Sequence, residues 1–114
     1  QVAGKVHNIF VTHLGNDGPI VQQEAILEEV GDLENVIAIG DFNFRPDTEQ
    51  YQLTVERLED AWLSKWPQGI DDQGLNPTDR IDHVFISPGT IIEDARYLTT
   101  PESDHPALMV EITW

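Results

Sequence analysis

The residues able to do chemistry fall in four short stretches: His13 in "VTHL", Asp41 and Asn43 in "GDFN", Asp82 in "RIDH", and Asp104 with His105 in "SDHP". An imidazole with a pKa near ~6.5 can take up or release a proton at neutral pH. Carboxylates suit hard cations, and a carboxamide can donate to an anionic oxygen. Each residue also has an ordinary explanation: His13 as a strand-end histidine, Asp41 and Asn43 as turn formers, Asp104 as an Asx-turn residue. The chain has no cysteine, so disulfides and thiolate metal centres are excluded and histidine and carboxylate chemistry remains.

The elements that must position these residues are legible from pattern. Residues 5–14 are rich in β-branched and aromatic side chains and end at Gly15, which reads as a strand. From Pro19 to Leu33, Ile26, Val30 and Leu33 recur at helical spacing while Glu24, Glu28 and Glu29 take other faces, which predicts an amphipathic helix. Val36 to Gly40 is a continuous apolar run leading into Asp41, as in a strand covered on both faces. A second helix is expected to start at Asp47, with Gln50 completing a capping box. Trp62 to Asp79 contains two prolines and two glycines and reads as a long surface loop. Residues 81–87, 91–98 and 107–114 read as three more strands, the last placing Leu108, Val110, Ile112 and Trp114 on one face. The polar residues above all fall at strand ends or in the turns beside them, where open α/β sheets place their sites.

At 114 residues, 39% of them hydrophobic, the chain is expected to form one domain over 1–114. It has no run long enough to span a membrane and nothing resembling a secretory leader, so it reads as soluble. Twenty-one acidic against six basic residues give a net charge of −15, which disfavours nonspecific attraction to nucleic acid or anionic membranes. Such acidity serves solubility, or it collects cations.

Taken together and in order, "THLG", "GDFN", "RIDHVFIS" and "SDHPAL" resemble four signatures of the endonuclease/exonuclease/phosphatase superfamily. The resemblance implies a hydrolase cleaving phosphodiesters or phosphomonoesters with a divalent metal, magnesium or manganese. It implies His105 as general base toward water, oriented by Asp82, and Asp41 orienting the water or approaching the metal. Asn43, two residues on in an extended segment and so on the same side as Asp41, would donate to a phosphoryl oxygen while Phe42 turns the other way; Asp104 would supply a metal ligand, and His13 would stabilise charge on a phosphoryl oxygen. Alternation aims His83 away from Asp82 and makes it structural. Arg45 and Arg80 are expected in salt bridges rather than on phosphate.

The implied fold is α/β, half of a four-layer α/β/β/α sandwich with helices on one face of a mixed sheet, each half contributing one sheet. The chain resembles the second half of such a domain, without the first half's early Asn motif and metal-ligand Glu, so metal is expected to bind weakly or not at all. Substrate is expected among nucleic acid, lipid or small phosphate esters, the scarcity of Lys and Arg weighing against long duplex DNA. A half-sandwich would leave one sheet face bare, which predicts a homodimer or association with a separate first half. The alternative reading is a noncatalytic module that self-associates or binds a partner through that face.

Overall fold

The computed structural model describes residues 6–78, 80–98 and 107–113. Strand β1 (Asn8–His13), helix α1 (Ile20–Val30), strand β2 (Val36–Asp41), helix α2 (Glu49–Val55), strand β3 (Glu59–Asp60), helix α3 (Ala61–Lys65) and strands β4 (Asp82–Ile86), β5 (Ile91–Leu98) and β6 (Ala107–Thr113) follow in that order. The first four strands form a mixed sheet of order β1-β2-β4-β3, in which only β1 and β2 run parallel. β5 and β6 form a separate antiparallel pair.

Strand alternation sends the two faces of the four-stranded sheet to different partners. On one face, Ala38 and Phe85 join Phe42, Phe44, Leu58, Leu27 and Val30 of α1 and Tyr51 of α2 in the main core. On the other, Ile37, Ile39, Val84 and Ile86 meet Ile92, Leu108 and Val110 of the hairpin. The chain is therefore mixed α/β, with helices, a sheet and a second sheet in layers.

That arrangement corrects the expectation that this chain supplies only one sheet. Inward side chains at alternate positions of β5 and β6 give the hairpin its own apolar face, and together with Ala61 of α3 it buries Val84 and Ile86. What stays bare is the β1 end of the face, where Ile9 is 63% and Val11 80% exposed.

Three local expectations also shift. Helix α2 is capped by the Thr48 hydroxyl, which accepts from the Tyr51 amide at 3.2 Å; the expected box between Asp47 and Gln50 does not form. The Gln50 amide instead donates to the carbonyls of Asp17 and Gly18, tying α2 to the turn before α1. The stretch read as a loop from Trp62 begins inside α3, whose N-cap Asp60 accepts from the Trp62 amide. Helix α1 stops at Val30, where Gly31 takes a positive φ of 46° with ψ −124°, a conformation that glycine tolerates and that cannot continue a helix, while its N–H donates to Leu27 O.

Candidate functional site

His13, Asp41 and Asp82 stand in one row across three adjacent strands. His13 is the register partner of Asp41 in the parallel β1–β2 ladder, and Asp41 is the register partner of Asp82 in the antiparallel β2–β4 ladder. Register partners share a face, so all three side chains emerge on the hairpin side of the sheet, where the apolar rows end. The His13 Nε2 lies 3.5 Å from Asp41 Oδ2, with His13 75% and Asp41 20% exposed. A cleft of about 300 Å³ opens beside Asp41 and Asp82, lined also by Ile39 and Val84 of the sheet and by Ala107 and Leu108 of β6; His13 lies outside its lining.

The backbone around the row is fixed by contacts continuing each ladder past its strand. Leu14 N–H donates to Asp41 O, Phe42 N–H to Ile81 O, and the Tyr97 hydroxyl of β5 to Asp82 O at 2.8 Å. Burial pushes the Tyr97 phenol well above its ordinary range, so it remains a neutral donor. Gly40 permits the close β1–β2 approach: at φ 146° it has no Cβ, and one placed there would lie 1.9 Å from Thr12 O.

Asn43 reaches the site by a different route from the extended alternation expected. The strand ends at Asp41, and Asn43 adopts φ 55° in the left-handed region, which asparagine tolerates better than most residues. Its amide N–H donates to Asp41 Oδ1 at 3.0 Å, closing an Asx turn, and its side-chain Nδ2 donates to Leu14 O at 2.6 Å. A turn, rather than a strand, holds Asp41 and Asn43 together. Phe42 between them is fully buried against Phe44 and Phe85, as the alternation implied.

Asp104 and His105 lie outside the described residues, so the pairing of His105 with Asp82 has no geometry here. Among the described residues, no three His, Asp or Glu side chains converge as a metal-holding group.

Behind the row sits a buried polar network: the salt bridge expected of Arg80 and the structural role expected of His83 both hold, but the partners Asp60, Tyr51 and Phe44 O were not legible from motifs. His83, 1% exposed, places Nε2 2.8 Å from Phe44 O and Nδ1 3.4 Å from Arg80 Nη1. Arg80 donates through Nη2 to Asp60 Oδ2 at 2.7 Å, and the Tyr51 hydroxyl donates to the same oxygen. Burial opposes the charge on Arg80, but the hydrogen bond and charge of Asp60 outweigh it and hold the guanidinium above its ordinary value. Burial pushes the His83 imidazole down to about 4, so the ring is neutral at physiological pH. These partners assign the proton to Nε2, with Nδ1 accepting from Arg80. Alternation in "RIDHV" did signal that His83 points into the core; nothing in the sequence joins Asp60 to Arg80.

Other cations are engaged as well. Arg96 contacts Asp72 at 2.5 Å and Asp94 at 3.0 Å and lies over the Trp66 ring, and Arg57 donates to Gly31 O. A larger cleft of about 480 Å³ lies at the opposite end of the strands between Asn35, Ser87 and Thr113, with Glu34 the one titratable side chain lining it among the described residues.

The model of the endonuclease/exonuclease/phosphatase family matches residues 7–105. Among solved structures, a mannosyl-6-phosphatase from Bacteroides thetaiotaomicron VPI-5482 is similar at a TM-score of 0.60 and 21% identity, over 93% of this chain and 51% of that one. A protein of unknown function from Enterococcus faecalis V583 is similar at 0.71 and 20% identity, over 98% and 52%. A third, an endonuclease/exonuclease/phosphatase family protein from B. thetaiotaomicron, is similar at 0.56 and 20% identity, over 91% and 47%. At these identities the likeness is one of fold, and the chain spans about half the length of the structures it matches. No curated protein matches the chain.

Proposed function

Because the chain belongs to the endonuclease/exonuclease/phosphatase family, whose enzymes are phosphoester hydrolases generally using divalent metals, we propose that it carries part of a metal-dependent phosphoester-hydrolysing site centred on the row His13, Asp41 and Asp82. The observation that carries this reading is the register: three strands bring an imidazole and two carboxylates to one face at one end of the sheet.

Asp82 is well situated to orient a histidine arriving from the stretch before β6, since Ala107 and Leu108 line the same cleft. On this reading His105 removes a proton from the attacking water, and the Asp82 carboxylate fixes its tautomer and stabilises the imidazolium that forms. His13, exposed beside Asp41, faces the phosphoryl group and stabilises negative charge developing on its oxygens. One proton of the Asn43 amide is engaged with Leu14 O; its second proton is the donor toward a phosphoryl oxygen.

The donor set is all oxygen, which fits magnesium or manganese better than a softer ion. Asp41 with Asp104 would hold the metal, which when bound neutralises phosphate charge. Two carboxylates give weak affinity without a further ligand.

Several cations are committed to internal partners: Arg80 to Asp60, Arg96 to Asp72 and Asp94, and Arg57 to a carbonyl. That leaves few to follow a polyanionic backbone and favours a small or lipid-borne phosphate ester over duplex DNA. The mannosyl-6-phosphatase among the fold neighbours makes sugar phosphates a class to include. The test is release of phosphate or alcohol from a panel of sugar phosphates, phospholipids and oligonucleotides, with magnesium and with chelator. Metal-dependent turnover lost in Asp41→Asn supports the reading. Its absence, both with the chain alone and with a polypeptide supplying the remaining half of the domain, overturns it.

A second reading rests on the bare β1 end of the sheet, where Ile9 and Val11 are exposed in a row. A homodimer, or a chain supplying the rest of the second sheet, would cover them. Light scattering of Ile9→Thr/Val11→Thr against the parent tests it: a parent that is monomeric at high micromolar concentration and gains no partner argues against association.

A further inference from the structure

We propose that His83 is a positioning residue for the Asp41–Asn43 turn, acting through its hydrogen bond to Phe44 O and held in the required tautomer by Arg80. The proposal rests on the reading of that turn as part of the site. Its geometry, however, can be tested without any activity.

The turn leaves the sheet at Asp41 and must hold Asn43 in the left-handed region, a conformation that costs free energy in a non-glycine residue. Such a conformation persists where its surroundings over-determine it. On the near side, Asn43 is held by Asp41 Oδ1 and Leu14 O. Phe44, the next residue, is held from beneath by the His83 Nε2–H at 2.8 Å. The Phe44 ring also stacks on the imidazole, with centroids 5.3 Å apart and planes at 24°. Backbone and side chain of the residue following Asn43 are thus fixed by one buried ring.

A neutral imidazole donates from one nitrogen only, so its usefulness depends on where its proton sits. Arg80 settles this. A guanidinium has no acceptor, so the nitrogen facing it, Nδ1, must be the unprotonated one, and the proton goes to Nε2 and Phe44. Arg80 is in turn oriented by Asp60, which also receives the Tyr51 hydroxyl. The chain of contacts runs from α2 through β3 and β4 to the turn bearing Asn43. Burial, which lowers the imidazole's proton affinity, keeps the ring neutral and this pattern intact near neutrality.

The experiment is NMR on the chain and two variants. In the parent, the His83 ring nitrogens are expected to show the Nε2–H tautomer at neutral pH; an Nδ1–H tautomer would overturn the proposal. His83→Phe keeps a ring among Phe42, Phe44 and Phe85 but removes the donor. It is expected to raise the exchange rate of the Asn43 backbone amide about fivefold or more, the equivalent of one hydrogen bond, and to shift the Asn43 Nδ2 protons. His83→Gln retains a donor near the Nε2 position and is expected to restore both. Unchanged Asn43 exchange in a folded His83→Phe would overturn the proposal, as would failure of His83→Gln to restore it. If His83→Phe does not fold, the parent tautomer and the His83→Gln spectrum still decide, because Gln without parent-like Asn43 resonances counts against it. Absent hydrolysis with these spectral results intact would instead count against the phosphoesterase reading.

Discussion

Asp41 and Asp82 face each other as direct partners across the antiparallel β2–β4 ladder, two carboxylates in register on one side of the sheet. Directly opposed residues in such a ladder have Cα atoms only ~4.5–5.5 Å apart, and like charges there are destabilising. On the proposed reading, holding a cation and orienting an imidazole is what offsets that repulsion.

That opposition predicts a trade between stability and turnover. Asp82→Asn keeps the shape and removes one charge, so stability in urea is expected to rise by roughly 0.2–1 kcal/mol in the absence of metal. In an assembled, active enzyme the same substitution is expected to lower turnover, and His105→Ala by about 10²–10⁴-fold. If the two act as one unit, the double variant is far less impaired than the product of the single effects. Multiplicative losses would separate Asp82 from the base.

Metal should bind weakly to this chain. At a concentration equal to its dissociation constant, a ligand stabilises by about 0.4 kcal/mol, and at a hundred times that by about 2.7 kcal/mol. Millimolar magnesium is therefore expected to move the thermal midpoint by about 2 °C or less. A rise of many degrees would mean that a further carboxylate completes the site.

How much of this was legible follows the physics of each signal. The strands were readable because residues such as Val36, Ile37, Ala38 and Ile39 form an apolar run, and both ladders of the row depend on strands found that way. The burial of Phe42 and His83 followed from alternation. Pattern gives periodicity, not dihedrals, so it extends the strand's alternation through Asn43, whose left-handed turn depends on Leu14 O, distant in sequence. The α2 cap falls one residue after the expected Asp47, since Asp47 and Thr48 are both good caps and only tertiary contacts, here Gln50 reaching Asp17 and Gly18, choose between them. The hairpin's role as a second sheet was missed because alternation says that a face is apolar, not what it meets.

Gly40 is a position where a single methyl group should matter. A Cβ there would lie 1.9 Å from Thr12 O, and φ 146° is strained for any other residue. Gly40→Ala is expected to push β1 from β2 beside His13 and Asp41, destabilising by about 2–4 kcal/mol. Denaturant unfolding measures this. A loss below 1 kcal/mol would show that the two strands can part here without consequence.

The buried imidazole of His83 makes stability fall in mild acid. Its pKa is about 4 in the folded chain, mainly through burial, against 6.5 for the exposed group. Between these values the unfolded chain binds a proton that the folded chain does not, so stability rises with pH across this window. The contribution is fully present above about pH 6.5 and is lost as pH falls toward 4; below that, both states are protonated. A gap of this size corresponds to an effect on the order of 3 kcal/mol. Carboxylates elsewhere also titrate in acid, so the informative quantity is the difference from His83→Gln, which has nothing to protonate at that position. The parent is expected to lose on the order of 3 kcal/mol more than the variant between pH 7 and pH 4 in urea titrations. Parallel losses in the two proteins would mean that His83 takes up its proton as readily when folded as when unfolded, which a ring enclosed by Phe44 O and the Arg80 guanidinium should not do.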